Sequence, residues 1–204
     1  MGALLGLPVL CLQAKEFSMP KVQPAFSYPA HDHHGDENVT VALDPYDTPA
    51  KANIFVVNYR DHDLLPVFLV ITNDGDNPVE VSDMQAQLVT ASRTKLSPAT
   101  ADDILRRISH PHASGSRSPL PFPTKKVKGA VSSTERNEIE NAQFKAKAVE
   151  PHSSQAGFLF FDISDLANPL PGSEFYLTGL RDASGHALMY FDVPLDKYLE
   201  PHTP

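Results

Sequence analysis

Leu64 to Thr72 reads Leu-Leu-Pro-Val-Phe-Leu-Val-Ile-Thr, without a charge. An apolar run of this length, rich in β-branched and aromatic residues, is that of a strand buried on both faces. The residues that follow, Asn73-Asp74-Gly75-Asp76-Asn77-Pro78, tolerate positive φ and end on a proline, which is turn chemistry. Val79-Glu80-Val81 then opens another strand. The pattern returns at Ala156 to Ile163, where Phe158-Leu159-Phe160-Phe161 make a second doubly buried run. Strand, polar turn and strand, repeated in two parts of the chain, define a mainly β protein built as an antiparallel sandwich.

Composition narrows the function classes. At 204 residues, 41% of them hydrophobic, the chain supports one sizeable core. Its 19 prolines exceed ordinary usage of about 5% and punctuate strand ends and loops. A net charge of −8 argues against a nucleic-acid partner, since phosphate contacts require a basic surface. The short Lys125-Lys126-Val127-Lys128 stretch reads as a solvated loop. Cys11 is the one cysteine, so no disulfide framework, thiolate metal site or cysteine nucleophile is expected of the mature chain.

Residues 1–14 carry the apolar stretch Ala3-Leu4-Leu5-Gly6-Leu7-Pro8-Val9-Leu10-Cys11-Leu12, followed by Gln13 and Ala14. It has the length of a signal-peptide core and is too short to span a bilayer. Cleavage after Ala14 is expected, although the basic flank of a complete leader is missing. The reading is export, to the periplasm or outside the cell. Membrane attachment is expected only if Cys11 is lipidated, and Leu10 stands where such sites carry a small residue.

Residues 15–37 read as an extended polar arm, and 38–196 as one sandwich domain with a tail at 197–204. Val39–Leu43 alternates as a first strand, and Asn53–Tyr59 reads as the next. Met84, Ala86 and Leu88 alternate with Gln85 and Gln87, the pattern of a half-solvated strand. Phe175–Leu180 and Ala187–Val193 flank a hairpin loop. Together these give about eight strands, interrupted by a helical, proline-rich insertion at 99–148. Thr100 with Asp103 caps a helix over about 100–109, with Ile104, Leu105 and Ile108 on one face. Ser132 with Glu135 caps a second, predicted to run to about Lys147 on the surface.

Two stretches resemble uncharacterised bacterial envelope proteins with an immunoglobulin-like sandwich. They are Val70-Ile71-Thr72-Asn73-Asp74-Gly75-Asp76-Asn77-Pro78-Val79 and Val149-Glu150-Pro151-His152-Ser153-Ser154-Gln155-Ala156-Gly157-Phe158-Leu159-Phe160-Phe161-Asp162. The resemblance spans about 39–195 apart from the insertion. It implies location and an immunoglobulin-like fold of about eight antiparallel strands, and no reaction.

The concentrated ligand set is His31, His33 and His34 with Asp36, with His62 as a donor from the folded body. Imidazole and carboxylate suit zinc, nickel or copper(II). On an extended chain His31 and His33 point the same way and His34 opposite. The competing reading is a solvated arm with adventitious metal only, and no other cofactor is expected. Ser153-Ser154 beside His152 lacks the nucleophile-elbow pattern, and no phosphate loop, dinucleotide fingerprint or zincin motif occurs. The chain therefore reads as a non-enzymatic binding or structural module. Its partner would be an unidentified protein or envelope component, met at Leu120 and Phe122 in the proline-rich loop. Metal capture is the alternative, and an enzyme the third class.

Overall fold

The computed structural model describes residues 15–110 and 131–200. Its strands, in chain order, are β1 (Ala30–His34), β2 (Val39–Pro45), β3 (Leu64–Asn73), β4 (Val79–Glu80), β5 (Gln85–Val89), β6 (Lys95–Leu96), β7 (Ala148–Val149), β8 (Ser153–Asp162), β9 (Glu174–Thr178) and β10 (Phe191–Pro194). Its helices are α1 (Pro49–Ala52), α2 (Ala101–Ser109), α3 (Ser133–Ala142) and α4 (Asp196–Leu199), with 3-10 turns at Ala25–Ser27 and Tyr59–His62. The protein is mainly β. One sheet runs β1-β2-β3-β8, another runs β10-β9-β5-β6, and β4 pairs with β7. All of these pairs are antiparallel.

The apolar run at 64–72 is a strand buried along its whole length. Successive side chains point to opposite faces. Leu65, Val67, Leu69 and Ile71 therefore meet Leu88, Phe175, Leu177 and Phe191 of the second sheet in one core. Leu64, Phe68 and Val70 meet Phe55, Ile104 and Ile139 in another. In β8, Leu159 and Phe161 join the first core and Phe158 and Phe160 the second. The first sheet is thus a middle layer, with the second sheet on one side and a cover of helices and irregular chain on the other.

The run after the polar turn is a strand as expected, β4, and its partner is β7. Several expectations change. Residues 15–37 are not wholly an arm. Ala25 and Ala30 are fully buried, and β1 pairs with β2 in the register His33↔Thr40. The strand escapes notice because Ala30 is its one fully buried residue; backbone pairing places it, and the Ala25 amide donating to Thr72 Oγ1 at 2.8 Å places the 3-10 turn before it.

Asn53–Tyr59 is not a strand. Thr48 caps α1 just before it. Phe55, Val57 and Tyr59 are buried in alternation, as a strand would have them. The amides of Val56 and Val57, however, donate to the Glu138 carboxylate at 2.5 and 3.1 Å instead of to a neighbouring strand.

Helix α2 starts at its capping box, and Ile104 is fully buried. Helix α3 also has its cap, but it is docked rather than superficial, with Ile139 and Ala142 fully buried. It stops at Ala142 because the next residues pair with β8. Gln143 bridges Phe158, and the Phe144 amide donates to Phe158 O at 3.1 Å. Gly157 permits this approach, since a Cβ there would lie 2.6 Å from the Phe144 nitrogen. Within the expected tail, Tyr198 donates its hydroxyl to Asp47 at 2.7 Å. Leu120, Phe122 and residues 1–14 lie outside the described residues.

Candidate functional site

Strand β1 separates the histidines as an extended chain should. His31 and His33 both flank the exposed Phe26 ring, with centroids 5.0 and 6.3 Å away. Their Nδ1 atoms bond Tyr28 O at 2.6 Å and Thr40 Oγ1 at 2.8 Å. His34 turns the other way. It stacks on Phe191 at 4.0 Å and lies between Glu37 at 3.0 Å and Asp32 at 3.2 Å. Those two acids also accept amides of the opposite sheet's chain, from Asp192 and Met189. His34 is therefore part of a clasp between the sheets. Asp36 is in an exposed turn.

His62 precedes β3 at Leu64, whereas His33 sits level with Thr72 through Thr40. Eight residues of strand put them roughly 26 Å apart along β3. His62 cannot close a site with His31 and His33. It lines a cavity of about 440 Å³ in which Arg107 pairs with Asp162 and Arg106 with Asp103. Among the described residues, no three His, Cys, Asp or Glu side chains converge as a metal-holding group.

A larger cavity, of about 620 Å³, opens where the cover meets the start of β3. Known small-molecule sites span about 300–1,000 Å³. Phe55, Val57, Leu64 and Leu65 lie behind its surface and are nearly fully buried, so they offer little area to a guest. Polar side chains make up nearly half of the lining, among them Lys15, Asp47, Thr48, Asn53, Asn58 and Arg60. The cavity follows from the local chain. Segment 53–58 packs on the first sheet through Phe55 and Val57, with Phe55 4.9 Å from Phe158, while its Val56 and Val57 amides are held by Glu138 instead of a neighbouring strand.

Tyr59 also lines this cavity. It is 2% exposed, and its buried hydroxyl is set against the Glu138 carboxylate. Burial first, then the nearby Glu138 charge, hold the phenol proton on above its usual range. Burial likewise raises Glu138, against the amides of Val56 and Val57 that favour its charged form. Tyr46, on another wall, is pushed up to about 12 by burial and the Asp44 charge. Asp47 already accepts the Tyr198 hydroxyl. The arrangement can hold a molecule by contact and charge.

Sequence reasoning missed this site. Its visible signals were the alternation of Phe55, Val57 and Tyr59, and an acid, Glu138, one helical turn from the apolar Ala142. Nothing in the spacing ties Lys15 or Arg60 to them.

The protein is of the mainly β class, with antiparallel sheets and short helices. No family model matches the chain, and no curated protein matches it. Two solved structures are similar. One is the X-ray structure of Northeast Structural Genomics Consortium target SoR45, with 12% identity, 77% of this chain and 86% of that one covered, and a TM-score of 0.32. The other is a functionally unknown protein from Listeria monocytogenes EGD-e, with 14% identity, 80% and 86% coverage, and a TM-score of 0.35. Values this low define neither fold nor activity for this chain.

Proposed function

We propose that the protein is an exported, non-enzymatic binding module of the immunoglobulin-like sandwich type, and that its ligand enters the cavity beside β3. The observation that carries this is the cavity itself: about 620 Å³, within the range of small-molecule sites, and lined by apolar and polar side chains together.

Strand order supports the immunoglobulin-like reading. In that fold one sheet is A-B-E-D and the other carries C-F-G, with C′ added in variable types. With β2, β3 and β8 taken as A, B and E, the other sheet reads G-F-C-C′ as β10-β9-β5-β6. The helical insertion then lies between C′ and E. Export rests on the leader-like residues 1–14.

The test is a panel of small amphiphiles followed by amide chemical shifts. Shifts concentrated at Phe55, Val57, Tyr59 and Leu65 support the cavity as the site. Shifts elsewhere, or none, overturn it. Fractionation with and without residues 1–14 tests export; equal retention in the cytosol ends that part of the reading.

A further inference from the structure

We infer that the protein has a second binding site, beside β5 on the open side of the second sheet, and that it takes a short stretch of a neutral oligosaccharide. Strand β6 reaches only Leu88 and Val89 of β5. Beyond its end, along Gln85 to Gln87, a hollow of about 520 Å³ opens, within the range of small-molecule sites. It shares no lining residue with the cavity beside β3, so the inference stands apart from the reading of that cavity. The hollows at Lys15, at Arg107, at Asp165 and at Lys51 each combine acidic and basic side chains. The lining of this one has no Asp, Glu, Lys, Arg or His.

Its polar groups are the amides of Gln85 and Gln87 and the hydroxyls of Ser97, Tyr176 and Thr178. The amides and the Ser97 and Thr178 hydroxyls can each donate and accept. The Tyr176 hydroxyl gives its proton to Glu174 at 2.6 Å and keeps its capacity to accept. An ionised guest finds no countercharge in this lining, whereas a guest hydroxyl is met as donor or as acceptor. The surface is open: Gln85 and Thr178 are exposed, and Gln87 and Tyr176 half-buried. Gln87, Tyr176 and Asp192 stand level across three strands, and Gln85 is level with Thr178. Tyr190 extends the face toward β10; it is 53% exposed, with its ring 6.3 Å from that of Tyr176. A tyrosine ring has a flat apolar body and a polar tip. That matches a sugar ring, which has C–H faces and hydroxyls round its edge. From β5 to β10 is two strand spacings, roughly 10 Å, so the face is longer than one sugar ring. Glu174 and Asp192 border it and oppose an acidic sugar.

The experiment is calorimetry and amide-shift mapping with cellohexaose, maltohexaose, mannohexaose, xylohexaose and chitohexaose, and with hexagalacturonate as the acidic counterpart. It is run on the chain and on Gln87→Ala, Tyr176→Ser and Tyr190→Ala. All three side chains stand on the open side of the sheet, and the thermal midpoint of each variant checks folding. At least one neutral hexaose is expected to shift the amides of residues 85–87 and 176–178. Its affinity is expected to fall about tenfold in Gln87→Ala and in Tyr176→Ser, the worth of one hydrogen bond or one stacked ring, and less in Tyr190→Ala. No binding of any neutral hexaose overturns the inference. So does binding that maps away from this face, or an affinity unchanged in all three variants. Hexagalacturonate bound as tightly as the best neutral hexaose overturns the neutral guest.

Discussion

The two four-stranded sheets share one core and differ in their other faces. In the first sheet β3 is buried throughout, and β8 is buried on both faces from Gly157 to Phe161. In the second, Phe175 and Leu177 of β9 are buried, Tyr176 between them is half-buried, and Glu174 and Thr178 on either side are exposed. A strand with two buried faces needs a cover, and here α2, α3 and segments 17–28 and 49–62 supply it. The cover has no ladder of its own, so its packing is set by single side chains, and a cavity opens in it. The open face of the second sheet has no such layer among the described residues, and the hollow of about 520 Å³ beside it is lined by the strands' own Gln85, Gln87, Tyr176 and Thr178.

The largest effect that tests this contrast is removal of a ring from the covered face. Phe158 is 1% exposed and lies against Tyr46, Phe55 and Phe68 at 4.9, 4.9 and 5.0 Å. Phe158→Ala is expected to cost about 3–5 kcal/mol by chemical denaturation. A cost under about 1 kcal/mol would mean that the cover is not packed on the sheet.

The contrast also explains what was legible in the sequence. Leu64–Thr72 and Phe158–Phe161 announce themselves because both faces are apolar. The capping boxes at Thr100 and Ser132 are local chemistry and appear as written. What escaped is held by tertiary partners. Strand β1 has one fully buried residue, Ala30, for an anchor. Segment 53–59 has strand periodicity but gives its amides to a carboxylate 82 residues away. The cavity depends on that carboxylate and on Lys15 and Arg60, which no local pattern brings together. The metal set failed to assemble for a similar reason, because alternation and the length of β3 separate its members.

Glu138 sharpens the comparison next, since it fastens α3 to segment 53–58. Its carboxyl keeps a proton to higher pH when folded than when unfolded, because burial disfavours the charge. A raised folded value means that its contribution is greatest at low pH and is lost as pH rises from the ordinary glutamate value of 4.5 through the folded one. The chain should therefore lose thermal midpoint relative to Glu138→Gln between pH 4 and pH 7. Asp162, lowered by Arg107 and Ser164 in spite of some burial, has the opposite sign and loses its contribution as pH falls below 3.8. A midpoint that rises relative to Glu138→Gln would show that the two amide bonds outweigh burial. Smaller again is Thr100→Ala, which removes one side of the α2 capping box and should cost about 1 kcal/mol in the same denaturation assay.

The smallest effect belongs to the open face. Tyr176 on β9 is half-buried, its hydroxyl donates to Glu174 at 2.6 Å, and its ring is 6.3 Å from that of Tyr190. It stands level with Gln87 on β5 and Asp192 on β10, on the side of the sheet turned from the core. A ring in this place loses few contacts on truncation, and the Glu174 carboxylate it leaves is exposed and takes water instead. Tyr176→Ser should therefore change stability by no more than about 0.5 kcal/mol. Urea denaturation of this variant beside Phe158→Ala compares the two faces directly. Costs of similar size would mean that the second sheet is also covered, and that its outer face carries a packed layer like that of the first.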